Sequence, residues 1–495
     1  MKDILEFATP EEVGIPSSAI SDFIDDIQES GLMTHSFMVI RHGKVCAECY
    51  CPPFKVNELH RMYSTSKSFA SMALGILVGE GKVKLSDSLA GYFPEYCPEN
   101  MPQWVKETTI RDALMMSTAN TKYHYAMTDP NFVSHMFNVD AEHPSGTIFN
   151  YNTNATNAIT AIVEKLTGMP LLEFLKERAL REIGFSEEAK CVEMPQGGSW
   201  CGSGVLCSTR DLARFALLVY NDGFANGKQL LPKEYVTEAK SKQIDNNMTG
   251  NLDFAHGYGY GYQVWRIFKN GYAFLGMGGQ YALSFPDYDL IFCCTGDIQG
   301  SFTAYAQSIP FYYNVMKQVK KFDKTDSLPE NPVAKAELDE KIKNFKAPLT
   351  IFGEKTSPMA DRINGVEFKT CENPMGISSF NITFNGNGGV LHLNTSRGLK
   401  EIPFNMGEYL ISEWPETHYS GKRIGVPLGR GYRSMSAALW TEEHKLGIRS
   451  YVIDEYFGNL YTVISFKGNT ATLSMKKVAE AFLEEYQGET VGICE

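Results

Sequence analysis

The stretch Ser64-Thr65-Ser66-Lys67-Ser68-Phe69-Ala70-Ser71-Met72-Ala73-Leu74-Gly75-Ile76-Leu77-Val78-Gly79 decides the reading of this chain. From Ser64 to Val78 it has helical character. Phe69, Met72, Ala73, Ile76 and Leu77 form one face, and Ala70, Leu74 and Val78 fill the other. A helix that is apolar all round belongs in the centre of a large domain. Gly79-Glu80-Gly81 supplies the stop. At its head stands S-x-x-K. Residues three apart share a helix face, so the Lys67 amine reaches the Ser64 hydroxyl. Burial and the helix N-terminus both disfavour a cation there. A neutral lysine takes the serine proton and activates the nucleophile. The same N-terminus stabilises developing negative charge. The bare pattern also describes a capping serine beside a surface lysine. Ser474-Met475-Lys476-Lys477 repeats it where an alternating strand runs out, and receives no chemistry. What separates Lys67 is the apolar helix it leads into, because a lysine is costly to bury without a role.

Outward from this helix, residues 36–50 alternate around His42-Gly43 and are expected to form a β-hairpin. Residues 155–167 repeat the helical period, with Gly168 and Pro170 as stops. Ser208 and Asp211 form a capping-box-like start for a helix over 209–221. Residues 258–296 turn to strand character, with Tyr258, Tyr260 and Tyr262 alternating with glycines and Leu290 to Thr295 as a second strand. Residues 322–349 are rich in Asp, Lys, Glu and Pro, with a short helical stretch near Ala334 to Phe345, and read as a linker. From 350 the period is two. Candidate strands are 379–385, 389–395, 434–441, 446–453, 459–466 and 470–475, separated by Gly/Asn turns. That spacing suggests a small antiparallel barrel. The expected division is therefore 1–321, 322–349 and 350–495, in an α+β chain.

The 495 residues leave room for two to four domains at ~100–200 residues each. Lys and Arg number 46 against 58 Asp and Glu, a net charge of −12. With no basic run to offset it, this balance repels nucleic acid and anionic membranes, so neither is expected as a partner. The longest apolar run, Phe69 to Val78, is far short of the ~20 residues that span a bilayer. Met1 to Ile15 carries four acidic residues and no apolar core, so it does not read as an export signal, and a cytoplasmic location is expected. Eleven cysteines then read as reduced thiols. Cys46, Cys49 and Cys51 lack a second CxxC, the ten histidines contain no HExxH pair, and no metal or cofactor is expected.

Two further constellations carry polar chemistry. Phe149-Asn150-Tyr151-Asn152-Thr153-Asn154 lies between the turn Pro144-Ser145-Gly146 and the helix 155–167. Tyr151 there is a candidate proton shuttle, since a phenol near a cation loses pKa. The same segment also reads as a turn with asparagine caps. Gly276-Met277-Gly278-Gly279-Gln280 falls within the strand stretch 272–285. Glycines in a strand mark either close approach of a ligand to the backbone or a β-bulge.

These three motifs, in this order, resemble the serine β-lactamase and penicillin-binding-protein superfamily, most nearly its class C β-lactamase-like branch with esterases and D-aminopeptidases. The likeness covers about residues 8–320. It takes in Leu59-His60-Arg61-Met62-Tyr63, Leu85-Ser86-Asp87, Tyr92-Phe93-Pro94, Thr109 to Leu114 and Gly146 to Gly168. It implies a β-lactamase-like domain, an antiparallel sheet flanked by helices, followed by a lipocalin-like barrel. By the same resemblance Ser64 is the acylated nucleophile, Lys67 its general base and Tyr151 the tyrosine of the Y-x-N element. The amides of Ser64 and Gln280 form the oxyanion hole, and Asn152, Thr153, Asn154, Met277, Gly278 and Gly279 line the substrate. Two positions depart from the family. Thr153 stands for the Y-x-N asparagine, and Met277 for the lysine of K-T-G. A thioether cannot hold a carboxylate, so a small neutral or aromatic ester or amide is the expected substrate rather than a β-lactam. Acyl transfer from the same acyl-enzyme and a non-catalytic, penicillin-binding-like sensing module are the alternatives.

Overall fold

The computed structural model describes residues 3–119, 131–194, 196–247, 254–299, 307–322, 325–417, 431–455, 457–479 and 483–495. The chain divides into two compact units. The first comprises Met1–Asp26, Thr34–Gly296 and Ser308–Lys346, and the second Ile27–Met33, Asp297–Gln307 and Ala347–Glu495. The stretch read as a linker holds a helix over Pro332–Lys343 and contributes to the first unit as far as Lys346, while residues 323–324 lie outside the described residues.

Besides a two-residue hairpin of Phe224–Ala225 with Lys228–Gln229, the first unit holds the strands β1 (Glu6–Phe7), β2 (Thr34–Arg41), β3 (Lys44–Tyr50), β4 (His60–Arg61), β5 (Lys190–Cys191), β6 (Val205–Cys207), β7 (Trp265–Arg266), β8 (Tyr272–Gly276), β9 (Gln280–Phe285) and β10 (Leu290–Gly296). Seven of them form the main sheet in the order β1-β3-β2-β10-β9-β8-β7, antiparallel except where β1 runs parallel to β3. The hairpin β2–β3 turns at His42 and Gly43, both at positive φ (52° and 73°). This is the mirror-image turn whose twist suits paired strands. A short sheet, β4-β6-β5, carries the segment leading into the central helix.

That helix, α1 (Ser66–Gly79), is buried from Ser66 to Leu77, as its all-round apolarity requires. It packs against α2 (Thr153–Thr167) and the helices Leu171–Arg178 and Lys233–Lys240. A Cβ at Gly75 would lie 2.4 Å from the Tyr235 ring, so glycine is what lets that ring seat on the helix. On another side Phe69 stacks on Phe215, ring centroids 3.9 Å apart, from α3 (Thr209–Tyr220). The Ser208–Asp211 capping box starts α3 as the sequence suggests, and α3 covers β10, β9 and β2.

One stretch departs from its sequence reading. Tyr258, Tyr260 and Tyr262 alternate with glycine but do not form a strand. Only Tyr260 makes isolated bridges, to Ile244 and Trp265, and regular pairing begins at Trp265. Gly257 and Gly259 take φ of 85° and 99°, conformations that bend the chain out of a pleat.

In the second unit, β11 (Phe368–Thr370), β12 (Ile377–Asn385), β13 (Gly388–Thr395), β14 (Gly398–Met406), β15 (Leu410–Trp414), β16 (Tyr432–Glu442), β17 (Lys445–Ile453), β18 (Phe457–Lys467), β19 (Thr470–Val478) and β20 (Gly488–Ile493) form one sheet. Its order is β14-β13-β12-β11-β20-β19-β18-β17-β16-β15. A parallel contact, Asn405 with Ala437 and Met406 with Ala438, joins β14 to β16 and closes a barrel of nine strands, to which β15 is appended. The expected C-terminal barrel is therefore present. Phe368, Phe380, Phe466 and Trp440 are buried and pack ring against ring.

Among the described residues, no helix is long and apolar enough to cross a membrane, and no group of three or more His, Cys, Asp and Glu side chains is placed to hold a metal ion. Burial pushes the Cys46 and Cys51 thiols up to about 12, so they stay protonated.

One polar pair in the core has a measurable consequence. His35 on β2 and His60 on β4 are buried, with Nδ1 of one 2.8 Å from Nε2 of the other, and His35 stacks on Phe54. Burial pushes His35 down to about 3, and burial with the His35 neighbour pushes His60 well below its ordinary value. Both are neutral in the fold, whereas in the unfolded chain they titrate near 6.5. Unfolding therefore takes up protons between that value and the depressed one. Stability is fully present above pH 6.5 and falls as pH falls, by up to ~1.4 kcal/mol per pH unit for each histidine. Urea unfolding at pH 7.0, 6.3 and 5.6 is expected to show this slope, and His35→Gln/His60→Gln to flatten it. Equal slopes in both proteins would contradict the assignment.

Candidate active site

The chain passes from β4 through Met62 into a 3-10 turn, Tyr63–Thr65, and only then into α1. Ser64 thus precedes the helix proper, half-buried. Tyr63 before it has φ +46°, a left-handed conformation that costs a bulky residue ~1–3 kcal/mol. Packing holds it there. Its ring is buried and the Arg61 guanidinium lies 4.4 Å from the ring centroid.

Lys67, one turn into α1, is 1% exposed. Its Nζ lies 3.0 Å from Ser64 Oγ and donates to the Gly202 carbonyl at 2.5 Å. The Tyr151 ring faces the same nitrogen, centroid 4.9 Å away. Tyr151 stacks on Trp265 (5.2 Å, 26°) and meets Tyr260 edge-on (6.3 Å, 89°), and Phe149 also touches Trp265. Burial holds the Tyr260 phenol well above its ordinary range, so it stays neutral.

Met277-Gly278-Gly279 proves to be the turn between β8 and β9 rather than part of a strand, with Gly278 and Gly279 at φ 80° and 96°. The close approach at Gly276 is to the protein's own backbone. A Cβ on Gly276 would lie 2.2 Å from the Met62 carbonyl oxygen, so only glycine lets β8 meet the segment before Ser64. Thr65 Oγ1 donates to the Gln280 carbonyl at 2.7 Å, which ties the start of β9 to the Ser64 turn across 215 residues of chain. The buried Gln280 side chain donates to the Met277 and Gly296 carbonyls and accepts from the Gly296 amide, fixing the turn from inside. Met277 is half-buried at its tip.

Of the asparagine segment, Asn152 caps α2. Its side-chain oxygen accepts from the Asn154 amide at 2.9 Å, and its Nδ2 lies 3.4 Å from Thr118 Oγ1. Asn154 is buried, and the Thr153 methyl sits against Gly202.

Sequence reasoning missed the turn Trp200-Cys201-Gly202-Ser203, where Ser203 and Gly204 amides both donate to the Trp200 carbonyl (3.0 and 2.7 Å). Arg61 clamps it through the Ser203 carbonyl and hydroxyl, at 2.9 and 3.0 Å, while lying over the Trp200 ring. Gly202 cannot be larger, because a Cβ would lie 2.5 Å from Thr153 Cγ2 and 2.6 Å from Asn157 Oδ1. The small residues Gly202-Ser203-Gly204 were the only signal available.

A hydroxyl within hydrogen-bond reach of a buried amine, beside a glycine turn with its backbone held in place, is an arrangement suited to acyl transfer through a covalent intermediate.

Comparison with known proteins identifies the family of the first unit. A family model described as Beta-lactamase matches residues 20–295. A 6-aminohexanoate-dimer hydrolase of Paenarthrobacter ureafaciens is 25% identical over 248 residues, 46% of this chain and 63% of its own, so the chain spans less than two thirds of that relative. Among solved structures, a penicillin-binding protein homolog from Caulobacter crescentus superposes with a TM-score of 0.51 at 13% identity, over 63% of this chain and 98% of that one. A Bacillus anthracis chain, provisionally assigned as a 6-aminohexanoate-dimer hydrolase, gives 0.50 at 20% identity over 67% and 89%. With the model spanning more than half of its residues, including the Ser64 turn, α1 and the β8–β9 hairpin, the chain belongs to the Beta-lactamase family.

Proposed function

We propose that this protein is a serine hydrolase that carries an acyl group on Ser64 and releases it to water, with small uncharged esters or amides as substrates. The observation that carries the reading is the 3.0 Å approach of a buried Lys67 Nζ to Ser64 Oγ. Lys67 accepts the Ser64 proton as Oγ attacks the substrate carbonyl carbon. The amides of Ser64 and Gln280 hold the oxyanion that forms. Collapse expels the alcohol or amine, which takes a proton through Lys67 and Tyr151. Water then attacks the acyl-Ser64 carbonyl with the same base, and the acid leaves. The name of the Paenarthrobacter relative, a hydrolase of a 6-aminohexanoate dimer, supports the amide side of that class.

Exposure to a fluorophosphonate followed by intact-mass measurement tests the reading. One phosphonyl adduct on Ser64 is expected, with turnover of p-nitrophenyl esters. An adduct without turnover would favour a sensing module, and neither would refute the proposal.

Met277 directs the substrate class. A lysine at that turn would bring a cation to a substrate carboxylate, a contact worth ~1.5–3 kcal/mol. Methionine offers polarizable apolar surface suited to aromatic groups. Short-chain and aryl esters are expected to outrun a chromogenic cephalosporin, and Met277→Lys to move the kcat/KM ratio toward the cephalosporin by about tenfold or more. A parent protein that prefers the cephalosporin would overturn the substrate class. An unchanged ratio in the variant would place Met277 away from substrate.

A further inference from the structure

Cys191 ends β5 and Cys201 is the second residue of the turn 200–203, and their sulfurs stand 3.6 Å apart. The two segments are laced together. The Val192 amide donates to the Gly204 carbonyl at 2.8 Å, and the Trp200 amide to the Val192 carbonyl at 2.7 Å. The residue after Cys201 is Gly202, whose carbonyl holds Lys67 Nζ. Cys201 is fully buried, whereas Cys191 is half-buried and lines a cavity of about 490 Å³ with Glu164, Met169, Leu172, Lys190 and Ser199. A small reagent entering that cavity reaches Cys191, whose sulfur stands 3.6 Å from that of the buried Cys201.

We propose that Cys191 and Cys201 are a dithiol/disulfide pair, oxidised by a small disulfide such as glutathione disulfide, and that closing the bond displaces the turn that holds Lys67. The Cys191 thiolate attacks one sulfur of glutathione disulfide and expels one glutathione thiolate. The Cys201 sulfur then attacks Cys191 in the mixed disulfide and expels the second. The two protein thiols are oxidised, the reagent disulfide is reduced, and the two thiol protons end on the two glutathiones. The order follows from access and from charge. The hydrogen bond with Cys191 and burial push the Cys201 thiol up, so the first attack falls to Cys191. Bonding brings the sulfurs from 3.6 Å to ~2.05 Å. The turn has little slack, with Gly202 against Thr153 and Asn157, and Gly204 against Val192. The movement therefore reaches the Gly202 carbonyl. Its effect on Ser64 rests on the role proposed above for Lys67.

The full-length protein, freed of reductant, is incubated with glutathione disulfide at pH 8, alkylated, digested and mapped. A linked Cys191–Cys201 peptide is expected, and none in Cys191→Ser. Amides of the 200–204 turn are expected to exchange hydrogen faster in the oxidised protein. Fluorophosphonate labelling of Ser64 is expected to slow by up to about tenfold, the scale of one lost hydrogen bond, and to recover with dithiothreitol. No linked peptide overturns the proposal. A linked peptide with unchanged exchange and unchanged labelling overturns the displacement. If the reduced protein takes no label, the Ser64 reading fails, and the peptide map with the exchange data still decides the pair.

Discussion

Ser64→Ala is expected to yield a folded protein that takes up no fluorophosphonate and hydrolyses esters on the order of 10⁴- to 10⁶-fold more slowly than the parent. The change removes the hydroxyl placed 3.0 Å from the buried amine and leaves the supports of the turn intact. Thr65 keeps its bonds to the Met62 and Gln280 carbonyls, and Lys67 keeps the Gly202 carbonyl. Melting temperature should therefore stay close to that of the parent, which separates lost chemistry from lost fold. Ser474→Ala is the matched control. Ser474 lies on β19, where successive side chains alternate faces, so Lys477 three residues on points to the other side. Its hydroxyl bonds Glu489 and the lysine pairs with Glu484. Wild-type turnover in Ser64→Ala, or its loss in a folded Ser474→Ala, would place the nucleophile elsewhere.

Lys67→Arg is expected to cost on the order of 10²- to 10⁴-fold in acylation rate, the range of a general base. Arginine keeps the charge but does not give up its proton at working pH. It is also longer, in a space where Nζ already sits 2.5 Å from the Gly202 oxygen. Lys67→Met covers the case in which arginine disturbs packing, because it removes the amine and nearly preserves volume. Both variants should unfold cooperatively and label slowly, as followed by the rate of fluorophosphonate uptake. Parent-like labelling in either would rule out Lys67 as the base.

The candidate site was legible where a few neighbouring residues carry both its polar groups and its local structure. Ser64 and Lys67 are one turn apart, and the apolar helix behind them marks the lysine as buried. Strands β12, β13 and β16–β19 were legible because alternation and Gly/Asn turns are local signals. Strand β14 was not, since it opens on the exposed or half-buried Gly398 to Glu401 and carries Pro403, a residue that argues against a strand, although Ile402, Phe404 and Met406 alternate inward and pairing with β13 makes it a strand. The tyrosines at 258–262 misled for the opposite reason. Their period of two is real, but glycines at positive φ carry the chain out of the pleat. Nothing near Lys67 in the chain announces Gly202, and nothing in Tyr63 announces its left-handed backbone. Both arise from packing against segments distant in sequence.

That distance bears on how the molecule comes together. The partners that complete the Ser64 turn come from 135 and 215 residues further along the chain. A loop so long must close before either contact gains anything, and contacts of this range form late and slowly. A nascent or partly folded chain can hold α1 and its S-x-x-K face without the acceptor for Lys67 or the β9 end of the site. On the function proposed above, Ser64 is expected to react only once the first unit is complete, and a chain still in assembly is expected to take up no fluorophosphonate.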